Sequence, residues 1–290
     1  MQAGHAPGGR GRAIARRIAL TAVASATAAT AAAAAPSPAQ ANLRLAHDNA
    51  YSQYQLHPRV LIWGRAKPMR YAFEIGGQRR RTVRVIAVHK PTGRAVKRWR
   101  LEDVAPGDRR KVRWKGFNGG NLSPGGRYFF RIVDVASGQT ANRERSSGKR
   151  FFDLRYHQFP VAGDVGWGDG WGAGRNHKGQ DLFANCGRPI RAARAGKVIW
   201  KRYQGSGAGY YLVIRGRRNN RDYVYMHLRK RRPVKLGERV KTGQRIGFMG
   251  QTGNASGCHL HFEVWKGRWF DGGRPMKNVA KQARRWRQWS

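Results

Sequence analysis

Acidic residues are scarce in this chain: 15 Asp and Glu stand against 58 Lys and Arg in 290 residues, for a formal net charge of +43 at pH 7. A surface of that sign repels itself and attracts polyanions, whether nucleic acid, anionic lipid or an acidic wall polymer. Cysteine is scarcer still. Two in the whole chain exclude a disulfide-rich scaffold and a cysteine-built zinc ribbon and permit at most one bridge. Long apolar runs are missing beyond residue 35, so no later segment has the length to span a bilayer. With 40% hydrophobic and 11% aromatic residues the chain can nevertheless bury cores, which argues against wholesale disorder, and its length suggests about two domains.

Residues 1–41 carry Arg10, Arg12, Arg16 and Arg17, no acid, an Ala/Thr-rich run from Ile18 to Ala35, and then Pro36-Ser37-Pro38-Ala39-Gln40-Ala41. Basic, weakly apolar and small-residue parts in that order read as a secretory signal peptide cleaved after Ala41. Alanine and threonine enter bilayers poorly compared with leucine or phenylalanine, which argues against an uncleaved anchor. Losing four arginines takes the net charge from +43 to +39, so the basic excess belongs to a secreted or cell-envelope protein. DNA and RNA are rare outside cells, and no zinc-finger, basic-zipper or RNA-recognition pattern occurs. No nucleic-acid partner is expected, and anionic wall polymers move ahead.

The expected fold class is mainly β. After a linker at 42–57, residues 58–154 show short alternating apolar runs broken by turn residues about every ten positions, the pattern of a β-sandwich. Segments 81–88 and 94–101 flank the turn Pro91-Thr92-Gly93, Val112 and Trp114 share a face, and Pro124-Gly125-Gly126 leads into Tyr128, Phe130 and Ile132 at period two. Trp114-Lys115-Gly116 followed by Pro124-Gly125-Gly126-Arg127-Tyr128 resembles bacterial immunoglobulin-like modules. Six or seven strands fit this half, which carries no catalytic set: His57 and His89 are isolated and read as surface or turn residues. Segment 137–149 reads as a late loop.

From Phe159 the texture becomes glycine-rich, placing a boundary at 155–158. The loop 166–174 lacks the spacing of a dinucleotide fingerprint and reads as a flexible wall of a site. Strands are expected at 196–203, 210–216, 222–228 and 259–265. Residues 279–290 end in Arg284-Arg285-Trp286-Arg287-Gln288-Trp289-Ser290 and read as a basic aromatic tail, either a frayed solvated helix or a contact for membranes or polyanions.

Nine histidines occur, and three segments of this second half combine them with a carboxylate. His177 and Asp181 are four residues apart. His259 and His261 share one face of a strand. In 222–228, alternation aligns His227 with Tyr223 and Tyr225 and sends Val224, Met226 and Leu228 to the opposite face. Together these supply the nitrogen and oxygen ligands that catalytic zinc uses, three protein groups with a fourth position open. Unrelated core histidines would have to account for two on one face of one strand, which desolvates poorly without a partner. No H-E-x-x-H occurs, which excludes the helical zincin arrangement.

His177-x-x-x-Asp181, Tyr225-Met226-His227 and Ser256-Gly257-Cys258-His259-Leu260-His261-Phe262-Glu263, with Gly237-x-x-Val240-x-x-Gly243-x-x-Ile246-Gly247-x-x-Gly250-x-Thr252-Gly253 between them, resemble a lysostaphin-type zinc metallopeptidase domain over roughly residues 159–278. The resemblance implies one Zn2+ held by His177, Asp181 and His261, with His227 and His259 as the catalytic histidines. It further implies a zinc metalloendopeptidase that cleaves cross-links or stem peptides of bacterial peptidoglycan. The competing reading is a non-catalytic wall-binding or hydrolase-activating protein, which some relatives become on losing ligands; here no ligand position is missing. Glu263 shares the face of His259 and His261 and is either a group that orients His261 or an ordinary strand-end carboxylate. Cys258 precedes His259 and so points away from the metal face. A Cys186–Cys258 disulfide clamping the Asp181 loop to the His259 strand is expected over two free thiols.

Overall fold

Period-two alternation sets the first half. In the computed structural model, which describes residues 56–57, 60–65, 67–140, 151–174, 176–231 and 233–290, strand Gly126–Asp134 buries Tyr128, Phe130, Ile132 and Asp134 while the residues between face outward. The expected signal peptide, most of the 42–57 linker and most of the 137–149 loop lie outside the described residues.

Five strands, Val60–Ile62, Phe152–Arg155, Gly126–Asp134, Arg81–His89 and Ala95–Val104, hydrogen-bond in that order. A three-stranded sheet of Leu56–His57, Met69–Phe73 and Arg110–Trp114 packs against them, and both contribute to one core. Tyr71 from the smaller sheet stacks on Phe130 from the larger at 4.4 Å between ring centroids. A fully buried ion pair, Arg81 Nη1 to Asp134 Oδ2 at 2.7 Å, closes one end. His89 does sit at the expected Pro91-Thr92-Gly93 turn, yet it is buried rather than on the surface: Nδ1 meets Thr92 Oγ1 at 2.9 Å and the ring packs on Tyr128.

The second half is built on one large sheet. Its strands run Gly166–Trp167, Gln180–Phe183, His259–Arg268, Arg221–Leu228, Gly209–Gly216, Gly196–Gln204 and Arg239–Val240, with Asp271–Pro275 hung on His259–Arg268. One face is covered by a core that includes Leu212, Tyr223, Tyr225, Leu260, Phe262 and Val264. Val213, Val224 and Trp265 pack on the other. Burial on both faces is why these strands read as nearly continuous apolar runs. Thr242 Oγ1 accepts from Ala195 N at 2.9 Å and donates to Trp63 O at 2.7 Å, and the Arg194 guanidinium lies 4.9 Å from the Trp63 ring. The two halves thus share polar contacts as well as sequence. Among the described residues no helix is long and apolar enough to cross a membrane.

The C-terminal segment departs from the expected solvated tail. Val279–Arg287 is an α-helix whose Val279, Ala283 and Trp286 are buried, a spacing that puts them on one helical face. Trp286 stacks on His157 at 4.4 Å, Trp289 Nε1 donates to His157 O at 2.9 Å, and Phe159 N donates to Ser290 Oγ at 2.7 Å. Basic side chains between the apolar positions hide this face in the sequence; Arg284, Arg285 and Arg287 fill the last turn, where they suit the helix dipole. Burial holds the His157 imidazole well below its ordinary pKa, so it stacks as a neutral ring. Trp286→Ala is expected to destabilise the chain by about 3–5 kcal/mol, read as a lower urea midpoint at fixed zinc; a loss within experimental error would mean the helix is not docked.

Candidate metal centre and active site

Strand pairing brings the chemistry-bearing residues together. Gln180–Phe183 runs antiparallel to His259–Arg268 with Asp181 opposite His261 and Phe183 opposite His259. On the other side Met226 pairs with His261. His177 arrives from the preceding loop, where His177 N donates to Ala173 O and Gly172 N donates to His177 O. Between them stands Gly179, where a Cβ would lie 2.7 Å from Phe262 O and 2.8 Å from His261 Nε2, so only glycine lets the loop approach the strand this closely.

His177 Nε2 lies 3.1 Å and His261 Nδ1 2.9 Å from the same oxygen, Asp181 Oδ1. The ligand-type atoms of His177, Asp181 and His261 all fall within 4.8 Å of one another. The opposite nitrogens are committed elsewhere. His177 Nδ1 donates to Gly170 O at 2.7 Å, and His261 Nε2 faces Glu263 Oε1 at 3.0 Å. A carbonyl or carboxylate only accepts, so those two nitrogens carry protons; without a metal His261 Nδ1 also donates to Asp181, and a cation entering there would displace that proton and take the lone pair. Two nitrogens and one oxygen at this spacing fit zinc.

Charge points the same way. Burial opposes protonation of His261, but the Asp181 and Glu263 carboxylates outweigh it and raise its pKa to about 9 when no metal is bound. Burial alone would raise Asp181, yet His261, His177 and His259 hold it below the usual carboxylate value. The cluster therefore calls for positive charge at its centre, which a proton or a metal ion can supply.

His227 and His259 flank the cluster with rings 4.6 Å apart. Both spend Nδ1–H on backbone, His227 on Thr252 O at 2.8 Å and His259 on Gly257 O at 2.9 Å. That leaves Nε2 of each as the free nitrogen, and His259 Nε2 lies 3.9 Å from Asp181 Oδ1. Burial lowers His227 to about 4, so it is neutral at ordinary pH.

The placement of His227 corrects the alternation argument. Tyr223 and Tyr225 point into the apolar core, whereas His227 lines the cleft with Met226. The register slips here: Tyr210 pairs with Leu228 and Leu212 with Tyr225, so Met226 and His227 together oppose Tyr211. His227 takes φ of +60°. A β-bulge of this kind re-aims a side chain beside a site, and period two cannot reveal it.

The cleft holds about 540 Å³ and is also lined by Phe183, Met226, Asn254 and Ser256, which sequence reasoning did not single out because they carry no metal or proton chemistry. The 166–174 loop does form a wall through Gly168, Asp169 and Gly174. It is pinned by Gly168 N to Asp181 O at 3.0 Å and Gln180 Nε2 to Gly168 O at 2.9 Å. Cys186 and Cys258 are disulfide-bonded with Cα atoms 5.2 Å apart, fixing the residue before His259. Glu263 is the orienting group of the two alternatives: besides His261 it accepts from Trp265 Nε1 at 2.6 Å. Outer partners of this kind typically contribute 10–100-fold to metal affinity. Glu263→Ala is accordingly expected to weaken zinc binding by roughly that factor in competition with a chromophoric chelator, and unchanged affinity would remove Glu263 from the metal site.

Residues 175–277 match Peptidase family M23. The chain is 38% identical over 121 residues to the peptidoglycan DD-endopeptidase ShyC of Vibrio cholerae, a match covering 41% of this chain and 24% of the relative. It is 35% identical over 160 residues to an uncharacterized metalloprotease of Haemophilus influenzae, covering 49% of this chain and 30% of that protein. The catalytic domain of lysostaphin from Staphylococcus simulans aligns at 29% identity over 40% of this chain and 91% of that domain, with a TM-score of 0.37. The chain thus spans under a third of the length of these curated relatives.

Proposed function

We propose that the chain is a secreted zinc-dependent endopeptidase that hydrolyses peptide bonds in the cross-links or stem peptides of bacterial peptidoglycan. One observation carries the reading. His177, Asp181 and His261 turn three ligand atoms to one point while His227 and His259 turn free Nε2 atoms toward the same cleft. The relative named as a peptidoglycan DD-endopeptidase supplies the substrate class.

In this reading His177 Nε2, Asp181 Oδ1 and His261 Nδ1 hold the zinc. A zinc ion there supplies Lewis acidity toward a water and a scissile carbonyl. His227 and His259 handle the protons. One neutral Nε2 takes a proton from the attacking water, and a protonated Nε2 returns one to the leaving amine. Their Nδ1–H bonds to Thr252 O and Gly257 O keep the rings turned inward throughout. The ring of Phe183, stacked at 5.0 Å on His259, shields that side from water.

Residues 58–154 serve as an immunoglobulin-like module without catalytic groups. The net charge of +39 that remains after signal removal attracts the mature protein to anionic wall polymers. Long-range attraction of that sort weakens steeply with salt. Retention on isolated cell walls should fall as ionic strength rises, and undiminished retention on walls stripped of anionic polymers would refute the electrostatic account.

Purified peptidoglycan incubated with the zinc-loaded mature chain should yield new peptide termini by mass spectrometry, and these should vanish with a chelator or in His261→Ala. Intact muropeptides despite bound zinc would overturn the enzyme reading in favour of a wall-binding or hydrolase-activating role. The rate should also fall in acid, because protons compete with zinc for imidazole nitrogens. A rate that stayed flat through pH 5 would contradict the ligand assignment.

A further inference from the structure

The face of the large sheet that carries the histidine cluster continues into a buried aromatic cluster that includes Tyr211 and Trp265, whose outer edge is the exposed ring of Phe270. His259, His261, Glu263 and Trp265 alternate along one strand, and register carries their face across the sheet. Glu263 pairs with Val224, Val224 with Val213, and Val213 with Trp200. Trp200 is thus three strand spacings, about 14 Å, from the strand of the paired histidines. Its ring lies 5.0 Å from the Phe270 ring and 4.8 Å from the Arg202 guanidinium, and its Nε1 donates to Tyr211 Oη at 2.9 Å. Trp269 meets both Trp200 and Tyr211 edge-on or tilted.

The turn bearing Trp269 and Phe270 is anchored from below. Asp222, with no exposed surface, accepts from Trp269 N and from Arg215 Nη2, both at 2.9 Å. Phe270 nevertheless remains 51% exposed. An exposed aromatic ring stacked on Trp200 beside an anchored backbone has less freedom to lose on binding a ligand. The surface also runs into the cleft: Ala208 and Met226 pack in the same cluster as Tyr211 and Trp200 and line the space before the histidines.

We propose that this face is a saccharide-binding platform that holds the N-acetylated glycan strand from which the peptide substrate hangs. The proposal rests on the peptidoglycan reading above and extends it to the sugar. Pyranose rings present C–H faces that stack on aromatic rings, and the exposed Phe270 ring offers such a face. The spacing agrees with such a substrate. Trp200 lines up with Glu263, and His261 stands two residues further along, so roughly 16 Å separate them. An extended peptide of five residues covers about that distance, so a glycan on the aromatic platform delivers the outer part of its stem peptide to the histidine cleft.

The test uses the zinc-loaded full-length mature chain and N-acetylchitotetraose, a peptide-free sugar. Tryptophan fluorescence should change saturably on titration, Phe270→Ala should weaken binding by about tenfold, and Phe270→Trp should restore it. In hydrolysis, the ratio of kcat/KM on glycan-linked peptide to kcat/KM on the same peptide without sugar should fall about tenfold in Phe270→Ala. No saturable response of the wild-type chain to the sugar, or an unchanged ratio in Phe270→Ala, overturns the platform. Phe270-dependent binding to phosphatidylglycerol vesicles without sugar binding overturns it in favour of a membrane contact. If neither peptide is cleaved while chitotetraose still binds through Phe270, the peptidase reading fails and the saccharide site stands.

Discussion

The site depends on where four buried or half-buried imidazoles spend one N–H each. Gly170 O, Thr252 O, Gly257 O and the Glu263 carboxylate take those protons from His177, His227, His259 and His261. Each ring is then left with one nitrogen for the cleft, in a tautomer set by geometry. Without these acceptors the rings would be desolvated polar groups, each costly to bury. With them, rotation or tautomer exchange would break a hydrogen bond, so the ligand atoms are pre-organised. Gly179, the bulge at His227 and the Cys186–Cys258 bond all bring backbone to where one of these acceptors or rings must stand.

The scarcity of carboxylates sharpens this picture. In a chain with 15 acids against 58 bases, several of the few acids lie inside. Asp134 neutralises buried Arg81, Asp222 ties Arg215 and the Trp269 backbone, and Asp181 and Glu263 flank His261. Using these acids internally leaves still fewer of them to offset the basic residues at the surface. The same distribution concentrates local negative charge at the proposed cation site of His177, Asp181 and His261, in a molecule whose overall field repels cations.

Much of the mainly β fold was legible because alternation survives wherever one face is buried and the other is wet. Tyr128, Phe130 and Ile132 obey it; His259 and His261 share a face of a strand that is buried on both sides. Alternation fails where the backbone departs from a regular ladder. His227 leaves the face of Tyr223 and Tyr225 through one extra residue and a left-handed φ, a feature without a side-chain signature. The C-terminal helix was hidden for another reason: Val279, Ala283 and Trp286 make its buried face, but arginine and lysine fill the intervening positions and dominate composition. Chemistry-bearing residues were readable by type. Phe183, Asn254 and Ser256 enter the cleft only through tertiary packing, which spacing along the chain does not encode.

The central claim is that proton placement on these imidazoles assembles one cation site. Anomalous diffraction at the zinc absorption edge, from crystals of the mature chain grown with zinc, tests it directly. The account predicts one strong peak about 2.0–2.2 Å from His177 Nε2, an Asp181 carboxylate oxygen and His261 Nδ1, with His227 and His259 outside bonding distance. A peak bound through His261 Nε2, or ligated by His227 or His259 in place of His177, would contradict it.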